Sequence, residues 1–354
     1  MKSWEENIRR VVPYVPGEQP KKDKLIKLNT NENPYPPSPK VLDSIKDSSL
    51  YERLRLYPDP AASMLVQAIA AYQGLTPDRV FVGVGSDDVL AMAYLTFFNS
   101  GKPVFFPDIT YSFYDVWADL FRIPYETKAL DGNFCIVKED YYGENGGVIF
   151  PNPNAPTGLL MPLDEMEDII AHNQDVIVII DEAYIDFGGI SARSLLDRYE
   201  NLLVVQTFSK SRSMAGMRIG YAMGSDKLIK ALNDVKYSFN SYTMDQPTIL
   251  WGTASVEDEG YFRETVTRII DTREWFKSEM RELGFHFPDS KANFIFASHE
   301  SIPARAIFEE ARKEDIYVRY FAKPRIDNYL RITIGTREEM ETFLSFLKRF
   351  IAAF

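Results

Sequence analysis

The chain has 354 residues, 45% hydrophobic and 26% charged, with 40 basic against 51 acidic side chains and a net charge of −11. That length can bury a large core and suggests about two domains, the composition is that of a soluble globular protein, and the acidic balance argues against nucleic acid as a partner. No apolar run is long enough to span a bilayer and the opening MKSWEENIRR has no apolar signal core, so no membrane partner is expected. The single Cys135 allows no intrachain disulfide and fits a reducing, cytoplasmic compartment, and the scattered His172, His286 and His299 argue against a histidine-rich metal site.

In chain order, residues 1–28 read as an N-terminal arm, because the run from Val11 to Gly17 is too rich in proline for a helix and residues 20–24 are basic. The polar, turn-rich stretch from Leu28 to Pro37 follows (LNTNENPYPP), then a second one from Leu56 to Pro60. Ser63 opens a helix that Gly74 closes. A strand over residues 79–84 runs into Gly83-Val84-Gly85-Ser86-Asp87-Asp88 and an apolar-periodic helix. Such a turn is either an anion site at a helix N-terminus or an ordinary cap by Ser86 or Asp87. After a short strand over residues 103–106 comes Tyr111, which either stacks on a flat ring or packs in the core. The strand over residues 147–150 ends in Pro151-Asn152-Pro153-Asn154-Ala155-Pro156-Thr157-Gly158, a rigid loop whose amide side chain is suited to a ring hydroxyl. A helix over residues 163–172 precedes the stretch that organises the rest.

Two β-branched runs, residues 176–180 and 202–205, fit buried strands of a parallel sheet. Asp181 follows the first and Lys210 the second, 29 residues later, about one strand–helix–strand unit. Parallel strands end on one edge, which brings an acid and an amine to one crevice. That pairing suits pyridoxal phosphate, which needs an amine for its imine link and an acid on its pyridine nitrogen. Ser209 and Arg218 are placed to complete a phosphate cup with the amides near Gly85, although a lone arginine is more often a surface charge.

Helices are expected over residues 226–237 and 260–283, the latter a connector between domains. Strands over 292–296, 317–320 and 330–334 and helices over 304–312 and 337–350 then form a compact α/β unit. Arg319 and Arg331 lie inside its strands, where they either bind acidic groups of a substrate or form internal ion pairs.

With these residues in view, the sequence resembles the class II aminotransferases of PLP fold type I, and within them the histidinol-phosphate aminotransferase family. The resemblance runs from Leu28-Asn29-Thr30-Asn31-Glu32-Asn33-Pro34 to the segment Leu330–Thr336. Its most specific pieces are Asp181-Glu182-Ala183-Tyr184, Ser209-Lys210 with Arg218, and Asn154-Ala155-Pro156-Thr157-Gly158. It implies an α/β fold with a large, mostly parallel seven-stranded sheet domain over residues 29–250 and a smaller α/β C-terminal domain over 251–354. It implies that Lys210 would carry the cofactor and shuttle a proton, Asp181 would pair with the ring nitrogen, Tyr184 would bond the ring hydroxyl, and Tyr111 would stack on the ring. Ser86, Asp87, Ser209 and Arg218 would surround the cofactor phosphate, and Tyr57 would reach the phosphate of the neighbouring subunit of a homodimer. Arg331, with Arg319 and Tyr14 beside it, would grip the carboxylate or phosphate of the substrates, and Asn33 lies in the stretch that folds over the site. The commoner pattern has Asn where this chain has Ala155, so either Asn154 reaches the ring or Tyr184 holds its hydroxyl alone.

The implied reaction is transamination between glutamate/2-oxoglutarate and histidinol phosphate/imidazole acetol phosphate, in histidine biosynthesis. The same machinery would serve an aromatic or other amino-acid aminotransferase, and a threonine-phosphate decarboxylase would share the arginines. A Mg²⁺ hydrolase using Asp181, Glu182 and Asp186 is a more distant reading, and a non-enzymatic module would have no need of Lys210.

Overall fold

The computed structural model describes residues 3–22, 24–46 and 49–354. Twelve strands lie among these residues: β1 Ile26–Leu28, β2 Val80–Val84, β3 Val104–Pro107, β4 Tyr125–Lys128, β5 Gly147–Pro151, β6 Val178–Asp181, β7 Leu202–Thr207, β8 Ile219–Met223, β9 Phe285–His286, β10 Phe294–His299, β11 Ile316–Tyr320 and β12 Leu330–Thr333. Seven form one sheet in the order β2-β8-β7-β6-β5-β3-β4, and the other five form a second in the order β1-β11-β12-β10-β9. In the large sheet only β8 runs against its neighbours.

The central strands are buried on both faces because helices cover both. Ile149, Ile179, Leu203 and Val205 pack with the helices Ser86–Phe97, Tyr114–Phe121 and Asp226–Phe239. Their sequence neighbours Val148, Phe150, Val178, Ile180 and Val204 point the opposite way, towards Ser63–Gln73, Leu163–His172 and Gln246–Val256. The alternation follows from the two-residue period of a strand, and continuous apolar runs are what a doubly covered parallel sheet demands. Each such side chain contributes roughly 1.5–3 kcal/mol of transfer free energy.

One consequence positions the site. Since β8 is antiparallel to both β2 and β7, the C-terminal ends of β2, β3, β5, β6 and β7 and the start of β8 all lie on one edge. Segments far apart in sequence converge there.

The second sheet packs against the helices Glu259–Glu282, Ala304–Lys313 and Arg337–Ala353. Thr336 and Glu339 close the last of these with reciprocal side-chain-to-backbone bonds, a capping box. Here the N-terminal arm needs correcting. Residues 26–28 are not free but form β1, parallel to β11, and Leu28 is buried in the C-terminal core. Met1, Lys2 and Asp23 of the expected arm lie outside the described residues. The expected boundary at residue 250 falls inside the helix Gln246–Val256, which packs on Pro39–Ile45 and Ser63–Gln73 of the large unit.

Candidate active site

Asp181 and Val205 are paired neighbours at the ends of β6 and β7, and Lys210 follows just beyond. Both Asp181 and Lys210 line a cavity of about 340 Å³ at the convergent edge. Asp181 is 4% exposed; its carboxylate accepts from the Tyr114 hydroxyl at 3.0 Å and from the Ala183 amide at 3.2 Å. Burial pushes its carboxyl up to about 6, the two hydrogen bonds opposing that rise. Among the described residues no cation forms an ion pair with it, so a protonated ring nitrogen is the kind of partner it lacks. Lys210 donates from Nζ to the Thr30 carbonyl at 3.2 Å, and its amine lies 5.8 Å from the centre of the Tyr184 ring.

The far end of the cavity is built for an anion. Gly85, at φ +84°, turns β2 into the helix Ser86–Phe97, whose first residues Ser86 and Asp87 line the cavity, so that the N-terminal end of the helix dipole faces an anion there. Gly220 on β8 presses against this turn: a Cβ there would stand 2.3 Å from the Gly85 carbonyl carbon and the Ser86 nitrogen. Arg218 takes a left-handed conformation at φ 54° just before β8. Its guanidinium reaches Asp87 at 3.3 Å, the Ala215 carbonyl at 3.1 Å and Ser209 Oγ at 3.4 Å. Tyr111 donates to Asp87 at 2.7 Å and lines the same space.

A second cavity, of about 370 Å³, opens from the first and shares Thr30, Tyr111, Tyr184 and Lys210 with it. Its wall carries Arg319 and Arg331, directly opposite each other on β11 and β12. No carboxylate pairs with either among the described residues, so the internal ion pair left open by the sequence does not form. Arg331 donates to the Asn29 carbonyl at 2.9 Å, while its Nε is buried without a partner and burial lowers its pKa. Tyr14 stacks on Phe113 with ring centres 4.1 Å apart on the facing wall.

Three expectations change. Asn154 does not reach the cavity: its amide donates to the Ile109 carbonyl at 3.0 Å and to Thr157 at 3.2 Å and accepts from Thr110 at 3.2 Å, leaving Ala155 to face the ring space. Asn33 lines neither cavity; it donates to the carbonyls of Lys210 at 3.0 Å and Ser211 at 3.2 Å, buttressing the lysine's backbone. The carboxylates of the hydrolase reading diverge. Glu182 turns away into bonds with Ser191, Ala192 and Gln206, Asp186 bonds Ser211, and no three such groups converge among the described residues. Tyr57 is 81% exposed and stacks on Tyr242 with centres 4.7 Å apart. Two residues of the site were missed. Tyr114, hydrogen-bonded to Asp181, shares one aromatic run with Tyr111 and has no signal of its own in the sequence, and Asn31, hydrogen-bonded to Tyr184, lies in a polar stretch that reads as surface loop.

Residues 23–347 match the family described as aminotransferase class I and II. The chain belongs to that family. It is 52% identical over 351 residues to the histidinol-phosphate aminotransferase of Clostridium acetobutylicum, covering 99% of each chain. It is 53% identical over 336 residues to histidinol-phosphate aminotransferase 1 of Hydrogenovibrio crunogenus, covering 95% of this chain and 94% of that one. Among solved structures, it superposes on a histidinol-phosphate aminotransferase from Clostridium acetobutylicum with a TM-score of 0.86 at 24% identity, covering 93% of this chain and 100% of the other. The enzyme from Sinorhizobium meliloti in complex with pyridoxal-5'-phosphate gives 0.83 at 22% identity, covering 93% of this chain and 91% of that one. As in an aminotransferase of this family, the donor set here fits a flat aromatic group. The cavity is lined by the Lys210 amine, by the buried Asp181 carboxylate, which has no ion-pair partner among the described residues, and by Arg218 beside the start of the helix Ser86–Phe97.

Proposed function

We propose that the protein is a histidinol-phosphate aminotransferase, working with pyridoxal phosphate and exchanging the amino group with glutamate/2-oxoglutarate. What supports this reading most is the juxtaposition of the Lys210–Asp181 cavity with the unpaired Arg319–Arg331 wall, a catalytic amine next to a site for two anions. When bound, pyridoxal phosphate supplies a carbonyl that condenses with amines and a ring that accepts the electron pair left by a departing α-proton. Asp181 holds a proton on the ring nitrogen, a role that its buried position strengthens. Tyr184 gives a hydrogen bond to the ring oxygen, Tyr111 lies against the ring, and Ser86, Asp87, Ser209 and Arg218 hold the phosphate. Lys210 Nζ would move the proton between the substrate α-carbon and the cofactor's C4′ carbon, a short-range transfer by a positioned base. Arg331, with Arg319 and Tyr14, orients the substrate through its phosphate or carboxylate, charge-assisted bonds in a partly desolvated wall.

The active unit is a homodimer in this reading, with Tyr57 reaching the partner's cofactor phosphate; its exposure and the exposed Leu54, Leu56 and Met64 around that region suit burial by a second copy. A cytoplasmic enzyme suits a chain with one cysteine, itself exposed and unbridged. The test is a substrate panel on the loaded enzyme, scoring glutamate formed from histidinol phosphate and 2-oxoglutarate against aromatic amino acids and against carbon dioxide released from threonine phosphate. Highest kcat/KM for histidinol phosphate is expected. Preference for an aromatic donor, or release of carbon dioxide, would replace the reading with one of its neighbours.

A further inference from the structure

We infer that Asn31 is a positioning residue for Tyr184, fixing its hydroxyl so that the proton points into the cofactor cavity. The inference rests on the cofactor reading above. Asn31 is 1% exposed and left-handed at φ 57°, and its polar groups form a proton chain from the Thr333 hydroxyl to the Tyr184 oxygen. Its backbone amide donates to Thr333 Oγ1 at 3.0 Å. The Thr333 hydroxyl, having accepted there, donates its own proton to Asn31 Oδ1 at 3.1 Å. The side-chain amide thus turns its oxygen to Thr333 and its Nδ2 to Tyr184, donating to that hydroxyl at 2.9 Å.

The Tyr184 oxygen has accepted a bond, and among the described residues no protein acceptor takes its proton. The phenol lines both cavities, with its ring edge-on to Phe294 at 5.0 Å between centres. The proton is therefore presented to the cavity, where a ring oxygen of the cofactor would accept it. With Ala155 bringing no polar side chain and the Asn154 amide engaged elsewhere, this hydroxyl is the donor left for that oxygen.

The neighbours of Asn31 extend the effect. The Asn29 carbonyl accepts from Arg331 and the Thr30 carbonyl from Lys210, so three consecutive residues hold the substrate arginine, the catalytic amine and the ring-oxygen donor. Asn293 clamps the same segment by donating to the Asn31 carbonyl at 3.0 Å.

The experiment first loads the full-length protein with pyridoxal phosphate, reduces it with borohydride and maps the adduct by mass. It then follows the visible absorbance of the unreduced, lysine-linked cofactor against pH. A donor to the ring oxygen favours its deprotonated form, so Asn31→Gly, which keeps the left-handed backbone, raises the midpoint by about half a pH unit or more. Tyr184→Phe raises it at least as much, and adding Asn31→Gly to Tyr184→Phe changes nothing further. If Asn31→Gly fails to fold, the isosteric Asn31→Asp draws the Tyr184 proton away from the cavity, and its effect through the hydroxyl likewise vanishes in the Tyr184→Phe background. A wild-type midpoint in the folded variant, or a full shift persisting without the phenol, would overturn the assignment of Asn31. Absence of any adduct at Lys210 in the wild-type protein would instead overturn the cofactor reading, and this inference with it.

Discussion

Arg319 and Arg331 stand opposite each other across the antiparallel β11–β12 pair, two like charges in direct register, with no carboxylate paired to either among the described residues. Such a pair is unfavourable in a sheet by itself and is tolerable when it faces an anion. The buried, unpartnered Nε of Arg331 is the atom an incoming oxyanion would satisfy. Replacing Arg331 by Ala is expected to raise KM for the phosphorylated substrate by roughly 10- to 100-fold, the worth of one or two charge-assisted bonds. The cofactor dissociation constant should stay within about twofold, since no atom of Arg331 lines the first cavity. Equal losses in both constants, measured by steady-state kinetics and cofactor titration, would place Arg331 elsewhere.

Asp181 sets a pH dependence with a definite sign. Its folded-state carboxyl lies at about 6, above the usual 3.8, because burial disfavours the charge. Its contribution to stability is therefore full below about pH 4 and is lost as pH rises through about 6. Relative to Asp181→Asn, the cofactor-free wild-type protein should lose about 2 kcal/mol of stability between pH 4 and pH 7. Paired denaturant melts at several pH values check this; parallel stability curves would show that Asp181 is not desolvated. The same variant should bind cofactor yet lose nearly all transamination.

Tyr114 is the hydroxyl that partly restrains that rise. Tyr114→Phe keeps the buried ring and removes the donor, so the Asp181 carboxyl should move further up. Cofactor affinity near neutral pH should fall about fivefold, the worth of about 1 kcal/mol. The loss should shrink at higher pH, where Asp181 ionises in either protein. A pH-independent loss would mark a packing defect.

Gly220 offers a steric test of the anion cup. A Cβ at this position meets the backbone of Gly85 and Ser86, which have no side-chain freedom to yield. Gly220→Ala should displace the turn and weaken pyridoxal phosphate at least tenfold, while pyridoxal without its phosphate loses little. Equal weakening of both ligands by absorbance titration would contradict the phosphate role.

The strands that carry the site are legible because they are apolar and rich in β-branched residues, so the sequence itself puts Asp181, Lys210 and the turn at Ser86 just past strand ends. The helix Leu163–His172 and the glycine cap at Gly74 followed from periodicity and punctuation in the same way. The edge strand β4 was not legible, since Tyr125–Lys128 is polar and half-exposed. Nor was β8, whose start is masked by the small, polar run before it. Asn154 and Asn33 turn their amides to neighbouring loop groups rather than into the cavity for a common reason. An asparagine near a strand end serves a loop's own backbone as readily as a ligand, and sequence does not show which way the amide turns. Asn31 shows the converse, a loop residue whose importance comes from contacts with Thr333 and Tyr184, 302 and 153 residues away.

The central claim is that the Lys210 amine, in the cavity it shares with Asp181, is the group that links the cofactor. Loading the protein with pyridoxal phosphate, reducing with borohydride and sequencing the labelled peptide by mass measures this directly. A single stoichiometric adduct on Lys210, lost in Lys210→Ala, is the predicted result. Labelling spread over surface lysines, or labelling undiminished in Lys210→Ala, would contradict it.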